Sequence, residues 1–197
     1  MNLRYLGDAL DHWKGSVFEM LQEEGLVKGL QVDAMCSDKE PWKTDDVELY
    51  ARLLRIKRAQ LMQHRHDLCK DRSKYFSEVS ITGDIFLDPD TGIKTGDVRH
   101  LEHYLTPNEF FDVMKQDKER LVIVYQHVRA QRTRQRVENV LAILNQRHVA
   151  FTCASYESGT VALLFFGAES RRVKRVHDYF ANFLGTHAAS RIGYWNF

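Results

Sequence analysis

The stretch Gly83-Asp-Ile-Phe-Leu-Asp-Pro-Asp-Thr-Gly92 decides how the chain is expected to fold. Residues 81–87 predict a strand. The strand must end at Pro89, because proline has no backbone N–H to donate to a neighbouring strand. An acidic loop carrying Asp88 and Asp90 therefore follows the strand directly. We expect this loop to be the functional centre of the protein.

Strands and helices alternate through the rest of the chain. Residues 121–125 are a continuous apolar and β-branched run, which is typical of a strand buried on both faces of a parallel sheet. Glu157-Ser-Gly159 separates two further strands and indicates a hairpin. The remaining predicted elements are helices at 8–24, 45–70, 106–115, 132–146 and 173–184, and strands at 29–36, 149–156, 160–166 and 192–197. This order predicts an α/β fold with a mostly parallel sheet and an antiparallel C-terminal hairpin.

Length and composition indicate one α/β domain covering residues 1–197. Hydrophobic residues make up 44% and charged residues 28%, which is ordinary for a globular protein. No apolar run approaches the ~20 residues of a membrane-spanning helix, and the N-terminus lacks the pattern of a secretory signal. The cysteines Cys36, Cys69 and Cys153 show neither metal spacing nor a disulfide framework. We therefore expect a cytoplasmic protein without a membrane partner.

The charge is balanced overall but uneven along the chain. A net charge of +1 excludes the strongly basic composition of a protein that coats DNA. Basic residues nevertheless cluster at 52–74 and 129–136, and acidic residues cluster at 38–48 and 84–90. This pattern is compatible with a phosphate-binding face beside an acidic pocket, although a solvated helix face is the commoner explanation for any one such run. It keeps nucleic acid as a candidate partner, with Arg129 and Arg132 as candidate substrate contacts.

Ligands of parallel α/β sheets bind beyond the carboxyl ends of the strands. That rule predicts that segments 36–38, 88–92 and 126–129 lie on one rim of the sheet. His127 would be available there as a general base or metal ligand, and Arg129 would bind a phosphate or carboxylate. We expect the other histidines of the middle of the chain to be surface or structural residues: His64, His66, His100 and His103.

Acidic side chains at the end of a buried strand cost electrostatic free energy unless a cation lies beside them. A divalent metal, a ligand amine, or a lysine such as Lys14 or Lys94 would supply that cation. The alternative is a capped turn, because Asp-Pro-Asp-Thr-Gly also favours turn formation.

The predicted first helix concentrates charge in Gly7-Asp8-Ala-Leu-Asp11-His12-Trp13-Lys14-Gly15. Asp8, Asp11 and His12 share one helix face, and Asp11 faces Lys14. The alternative explanation is compensation of the helix dipole by aspartates. The sequence has no Walker-type phosphate loop, no Gly-x-Gly-x-x-Gly after the first strand and no Gly-x-Ser-x-Gly motif.

Three segments together resemble an uncharacterised bacterial family. Its members carry a Gly-Asp…Lys-Gly helix, a strand ending in Phe-Leu-Asp-Pro-Asp-Asn-Gly, and a strand ending in Tyr-Gln-His-x-x-Arg. The counterparts here are Gly7-Asp8…Asp11…Lys14-Gly15, Phe86-Leu-Asp-Pro-Asp-Thr-Gly92 and Tyr125-Gln-His127-Val-Arg129, the last with its arginine one residue earlier.

The layout is more distantly similar to Rossmann-like S-adenosylmethionine-dependent methyltransferases that modify nucleic-acid amino groups. Those enzymes carry Asp/Asn-Pro-Pro-Tyr/Phe, in which the acid accepts from the target amine and the aromatic ring stacks on the flipped base. Asp88-Pro89 matches the first half, and Asp90-Thr91 replaces the second.

This resemblance implies a Rossmann-like three-layer sandwich and a methyltransferase-like enzyme acting on nucleic acid, with S-adenosylmethionine as cofactor. The residues that it implicates in catalysis are Asp88, Asp90, His127 and Lys14. Those that it implicates near the cofactor are Asp8, Asp11 and Asp33.

Two alternatives stay open from the sequence. In a metal-dependent nuclease or phosphodiesterase, Mg²⁺ or Mn²⁺ would be held by Asp84, Asp88, Asp90 and His127. Lys14 or Arg129 would then stabilise the phosphate. In the third hypothesis the chain is a non-catalytic partner subunit, which has kept the fold and lost the cofactor site.

Overall fold

A six-stranded sheet with helices on both faces forms the centre of the computed structural model, which describes residues 1–37, 42–62, 68, 72–77, 81–128 and 131–197. The helices are α1 (Ala9–Glu23), α2 (Thr44–Leu53), α3 (Arg72–Ser77), α4 (Pro107–Lys115), α5 (Thr133–Asn145) and α6 (Ser170–Leu184). The strands are β1 (Gln31–Asp33), β2 (Ile85–Leu87), β3 (Gly92–Ile93), β4 (Tyr104–Leu105), β5 (Val122–His127), β6 (Thr152–Ser158), β7 (Val161–Gly167) and β8 (Ile192–Asn196).

The strand order of the main sheet is β1-β2-β5-β7-β6-β8. Strands β1, β2 and β5 are parallel neighbours, and β7 is antiparallel to both β5 and β6. It follows that β6 runs in the direction of β5, and that β8, antiparallel to β6, closes the edge. The antiparallel pair predicted near the C-terminus is thus β6–β7, but β7 lies inside the sheet and not at its edge.

Both faces of the sheet are covered by apolar helix surfaces. Along β5, Val122 and Val124 pack with α3, α4 and α5, whereas Ile123 and Tyr125 pack with α1, α2 and α6. This alternation follows from the two-residue period of a strand. Both faces of β5 are therefore buried, which explains why the 121–125 run is apolar at every position and confirms the prediction of a strand buried on both faces.

Helices α1 and α4 begin at side-chain caps. Oδ1 of Asp8 accepts hydrogen bonds from the backbone N–H groups of Leu10 at 2.8 Å and Asp11 at 3.2 Å. Thr106 and Glu109 form a reciprocal capping box at the start of α4. In both cases side-chain oxygens satisfy N–H groups that have no partner inside the helix.

The long helix predicted over 45–70 is wrong. Helix α2 ends at Leu53, and Arg55 adopts a φ of 54°, a left-handed conformation that stops the helix without glycine or proline. Leu61 then forms a parallel bridge with Val32 of β1. Strands β1 and β2 are also shorter than predicted, at three residues each.

The acidic loop after β2 continues into a small second sheet, which no pattern in the sequence indicates. Gly92 of β3 pairs with Tyr104 of β4, and the Thr91 N–H donates to the carbonyl oxygen of His103 at 2.9 Å. The loop after β2 is thereby joined to segment 100–105.

Within the part of the chain that the structure describes, no helix is both long enough and apolar enough to span a membrane.

Candidate functional site

A pocket of about 590 Å³ lies at the carboxyl ends of the parallel strands. Its walls come from the N-terminal segment, α1, the loop after β2, segment 97–104 and the end of β5. The predicted site residues that line it are Asp8, Asp11, Lys14, Asp88, Asp90 and His127. The fold therefore brings together residues from three segments that are far apart in the chain, at the rim expected of such a sheet.

Lys14 forms the ionic centre of the pocket floor. Its Nζ donates to Oδ1 and Oδ2 of Asp88 at 3.0 and 2.8 Å and to Oδ1 of Asp11 at 3.1 Å. Nζ also lies 4.3 Å from the centre of the Tyr125 ring. Burial lowers the pKa of Lys14, but the two carboxylates outweigh burial and raise the pKa above its ordinary value. Lys14 is therefore the cation that balances the acidic loop.

Asp88 has a second buried partner, which no motif in the sequence indicates. The hydroxyl of Tyr50 in α2 donates to Oδ2 of Asp88. Burial first, and then the Asp88 carboxylate, raise the pKa of Tyr50 well above its ordinary value. Gly15 permits this arrangement, because a Cβ there would come within 2.0 Å of the Leu53 carbonyl oxygen. Only glycine lets α1 approach α2 this closely.

Asp11 completes the charge balance at the floor. Its Oδ2 accepts from the Gly7 N–H at 3.0 Å, while Oδ1 faces Lys14. Burial raises the pKa of Asp11 more than Lys14 and the Gly7 N–H lower it. Lys14 and the two carboxylates thus line the pocket as one buried cluster, and the tyrosine hydroxyl joins that cluster through Asp88.

Asp90 ties the acidic loop to its neighbours. Its carboxylate accepts from Oγ of Ser37 at 2.5 Å and lies 2.5 Å from Nδ1 of His103 and 3.0 Å from the Met1 ammonium nitrogen. Burial raises the pKa of Asp90, but the ammonium group, Ser37 and His103 bring it below its ordinary value. Asp90 therefore carries its charge in a strongly polar corner of the pocket.

Two histidines predicted to be surface or structural residues line the pocket: His100 and His103. His100 is 70% exposed, which agrees with the prediction of a surface residue. Its place in the pocket wall was not predicted. The donor atoms of His100, Glu102 and His103 lie within 4.8 Å of one another. The available signal was the spacing His-x-Glu-His, which falls in the segment that pairs with the acidic loop.

Asp84 does not line the pocket, so it lies apart from the other three residues of the predicted metal set, Asp88, Asp90 and His127. Asp84 precedes β2 and Asp88 follows it, so the strand separates their carboxylates. The Asp84 carboxylate receives both terminal nitrogens of Arg172 at 2.8 Å. It also accepts from the backbone N–H groups of Lys28 at 2.7 Å and Leu121 at 2.8 Å. These contacts leave Asp84 in a structural role at the opposite end of the strand.

Other predicted site residues also lie away from the pocket. Oδ1 of Asp33 accepts from the Tyr75 hydroxyl at 2.5 Å and from the Met35 N–H at 2.8 Å, inside the core beneath the rim. Arg132 is exposed before α5 and does not line the pocket. Arg129, like Asp38, His64 and His66, lies outside the described residues.

The pocket also contains cationic and aromatic side chains that the motifs did not reveal. The lining residues of this kind are Arg4, Tyr5, Arg99 and Tyr104. Guanidinium groups bind carboxylates and phosphates, and tyrosine rings stack on planar ligands. The combination suits a ligand that carries an aromatic ring together with charged groups.

No family model matches the chain, and no curated protein matches it. Among solved structures, protein LPL1258 from Legionella pneumophila, described as DUF519, is similar with 13% sequence identity and a TM-score of 0.41. The match covers 79% of this chain and spans 57% of the length of that protein. A likeness at this level does not assign the chain to that family.

Proposed function

We propose that the pocket binds S-adenosylmethionine and that the protein is a methyltransferase-like enzyme acting on nucleic acid, with a Rossmann-like arrangement of its sheet. One observation carries the proposal. Six of the residues implicated by sequence, from α1, the Asp-Pro loop and the end of β5, line a single pocket at the carboxyl ends of parallel strands. This is where open α/β sheets bind nucleotide-type ligands.

The size and chemistry of the pocket fit the cofactor. A volume of about 590 Å³ is within the ~300–1,000 Å³ range of small-molecule sites. S-adenosylmethionine carries a sulfonium and an ammonium group, which suit the carboxylates of Asp8 and Asp11. Its carboxylate suits Arg4 or Arg99, and its adenine suits a tyrosine ring.

Tyr104 supplies the aromatic ring that the loop itself lacks. Thr91 stands where the resembling methyltransferases carry Tyr or Phe. Tyr104 pairs with Gly92 across the small second sheet and lines the pocket beside that loop. We propose that Tyr104 stacks on the target base, the role of the missing loop aromatic.

Asp88 keeps one acceptor position for a target amine. Among the described contacts, Oδ2 receives Lys14 and Tyr50, whereas Oδ1 receives Lys14 alone. A carboxylate oxygen has two lone pairs. We therefore assign Oδ1 as the atom that accepts the amino group to be methylated. The nuclease alternative would have to hold its metal ion without Asp84, because β2 separates Asp84 from Asp88.

Calorimetric titration with S-adenosylmethionine tests the cofactor, and transfer of a labelled methyl group to RNA, single-stranded DNA and duplex DNA tests the reaction. We expect micromolar binding, and transfer to at least one of these substrates. Tyr104→Ala should reduce transfer by about 5- to 150-fold, since base stacking contributes about 1–3 kcal/mol. Tyr194→Ala, at a tyrosine that is 36% exposed outside the pocket, is the matched control.

The outcomes separate the hypotheses. Binding together with transfer supports the enzyme. Binding without transfer to any of the three nucleic acids supports a cofactor site that has lost its reaction and rejects the activity. Absence of binding rejects the whole proposal and leaves the metal-dependent nuclease or phosphodiesterase and the non-catalytic partner subunit.

A further inference from the structure

We propose that His100, Glu102 and His103 form a binding site for a divalent transition-metal ion, for which Zn²⁺ fits best, at the mouth of the pocket. The inference is independent of S-adenosylmethionine binding. It also differs from the metal set expected from the sequence, since none of these three residues belongs to that set.

The backbone brings the three side chains to one side. Segment Leu101–His103 is a 3₁₀ turn with His100 as its cap, and the His103 N–H donates to the His100 carbonyl oxygen at 3.3 Å. Side chains three residues apart are eclipsed in such a turn. The two imidazole rings accordingly lie 5.7 Å apart, and Nδ1 of His100 is 3.1 Å from Oε1 of Glu102.

The donor atoms need only a small movement to close around an ion. They already lie within 4.8 Å of one another. With ligand distances of about 2.0–2.1 Å, donors around a tetrahedral zinc stand roughly 3.4 Å apart. Rotation of side chains that are 70%, 31% and 32% exposed can supply that movement, and the same exposure provides a path for the ion.

A carboxylate behind one imidazole is the second feature of a metal site. Oδ2 of Asp90 lies 2.5 Å from Nδ1 of His103 and is itself held by Ser37. Such a carboxylate fixes the tautomer and orientation of the ring and leaves Nε2 for the metal. Asp90, predicted from sequence as a metal ligand, would thus orient a ligand and not bind the ion.

The ligand types select the metal. Two imidazoles and one carboxylate are the protein ligands of several catalytic zinc sites, with further positions open to water or substrate. Mg²⁺ prefers oxygen ligands and suits the set poorly. Because His100 and His103 line the pocket beside Arg99, the open positions would take an anionic oxygen such as a phosphate.

Zinc titration of the full chain, after treatment with a chelator, tests the site by calorimetry and by metal analysis. We expect the wild-type protein to bind one more Zn²⁺ than the His100→Ala/His103→Ala variant. Asp90→Asn should weaken this binding about 10–100-fold, as loss of an orienting carboxylate does elsewhere. A large excess of Mg²⁺ should not displace the ion.

His177→Ala is the matched control, because His177 also lies beside a carboxylate, with Nδ1 3.0 Å from Oδ1 of Asp178. Among the described residues, however, His177 belongs to no group of three side chains that could hold a metal ion. It should retain wild-type zinc binding. The site is refuted if the double variant binds Zn²⁺ with unchanged stoichiometry and affinity, or if the wild type binds none. Should the double variant fail to fold, the Co²⁺ absorption spectrum of Glu102→Gln decides: unchanged ligand-field bands overturn the proposal, and altered bands support it.

Discussion

Nζ of Lys14 lies 2.8 Å from Oδ2 of Asp88, although 74 residues separate them and both side chains are almost entirely buried. The pair joins α1 to the loop after β2, so one contact links two of the three segments that build the pocket. Because Asp11 shares the same ammonium group, removal of Lys14 leaves two carboxylates without their cation.

Lys14→Met should lower the free energy of unfolding by about 3–5 kcal/mol, because it leaves the buried carboxylates of Asp11 and Asp88 without a cation. Chemical denaturation at neutral pH measures the loss. Lys174→Met breaks another lysine–aspartate pair, with Asp178, whose side chains are 61% and 46% exposed. That control should change stability by less than about 1 kcal/mol. Equal effects of the two substitutions would show that the Lys14 pair is not buried as described.

The elements with a clear period were predictable from sequence, and those ended by local conformation were not. Helices α1 and α4 carry side-chain caps, and β5 is apolar on both faces. By contrast, α2 ends where Arg55 turns left-handed, a conformation that arginine does not signal. The antiparallel insertion of β7 between β5 and β6 depends on long-range pairing that periodicity cannot reveal.

The same contrast applies to the pocket. The Asp-Pro loop and His127 could be predicted to lie close together, because the carboxyl ends of parallel strands share one edge of the sheet. This relationship gives no sign of Tyr50, whose position in α2 fits the apolar period although its hydroxyl binds Asp88. Asp84 is close in sequence to Asp88, but β2 carries the two carboxylates to opposite ends, which proximity in sequence cannot reveal.

Stability should fall as the pH rises above about 10. Burial holds the pKa values of Tyr50 and Tyr75 well above their ordinary 10.0, and Lys14 is raised above 10.5. In that range the unfolded chain loses protons that the folded chain keeps, so the free energy of unfolding decreases with pH. These contributions are fully present below pH 10. Each group adds at most about 1.4 kcal/mol per pH unit to the slope.

Denaturation curves of Tyr50→Phe between pH 9 and pH 11 check this effect. The variant should be less stable at neutral pH, because Asp88 loses a hydrogen bond, and its stability should depend less steeply on alkaline pH. Tyr194→Phe, at a 36% exposed side chain, is the control and should retain the wild-type slope. An unchanged slope in Tyr50→Phe would contradict the burial of its hydroxyl.

Asp84→Ala should destabilise the fold without weakening ligand binding at the rim. The substitution leaves Arg172 and the backbone N–H groups of Lys28 and Leu121 without their acceptor, which should cost about 3 kcal/mol or more. Calorimetry with S-adenosylmethionine, at a temperature where the variant is folded, should give the wild-type affinity. Arg175→Ala, at an exposed arginine of the same α6, is the control for loss of a cation. A large loss of affinity in Asp84→Ala would return Asp84 to the binding site.

Gly92→Ala should destabilise the acidic loop by displacing the Gln126 side chain that contacts it. Gly92 has a φ of 114°, and a Cβ there would come within 2.4 Å of the Gln126 side-chain amide. That buried amide donates to the Thr91 and His127 carbonyl oxygens and accepts from the Ile93 N–H. Left-handed strain alone costs roughly 1–3 kcal/mol, and displacement of the amide adds to it.

Gly96→Ala provides the comparison for this loop, because its added Cβ would meet nothing within 4 Å and its φ is not left-handed. Thermal and chemical denaturation should show a clear loss for Gly92→Ala and almost none for Gly96→Ala. Ligand affinity should fall with stability in the first variant only, since Gln126 links the Asp-Pro loop to the end of β5 that carries His127. If Gly92→Ala proved as stable as Gly96→Ala, Gln126 could not be the support that holds the two walls of the pocket together.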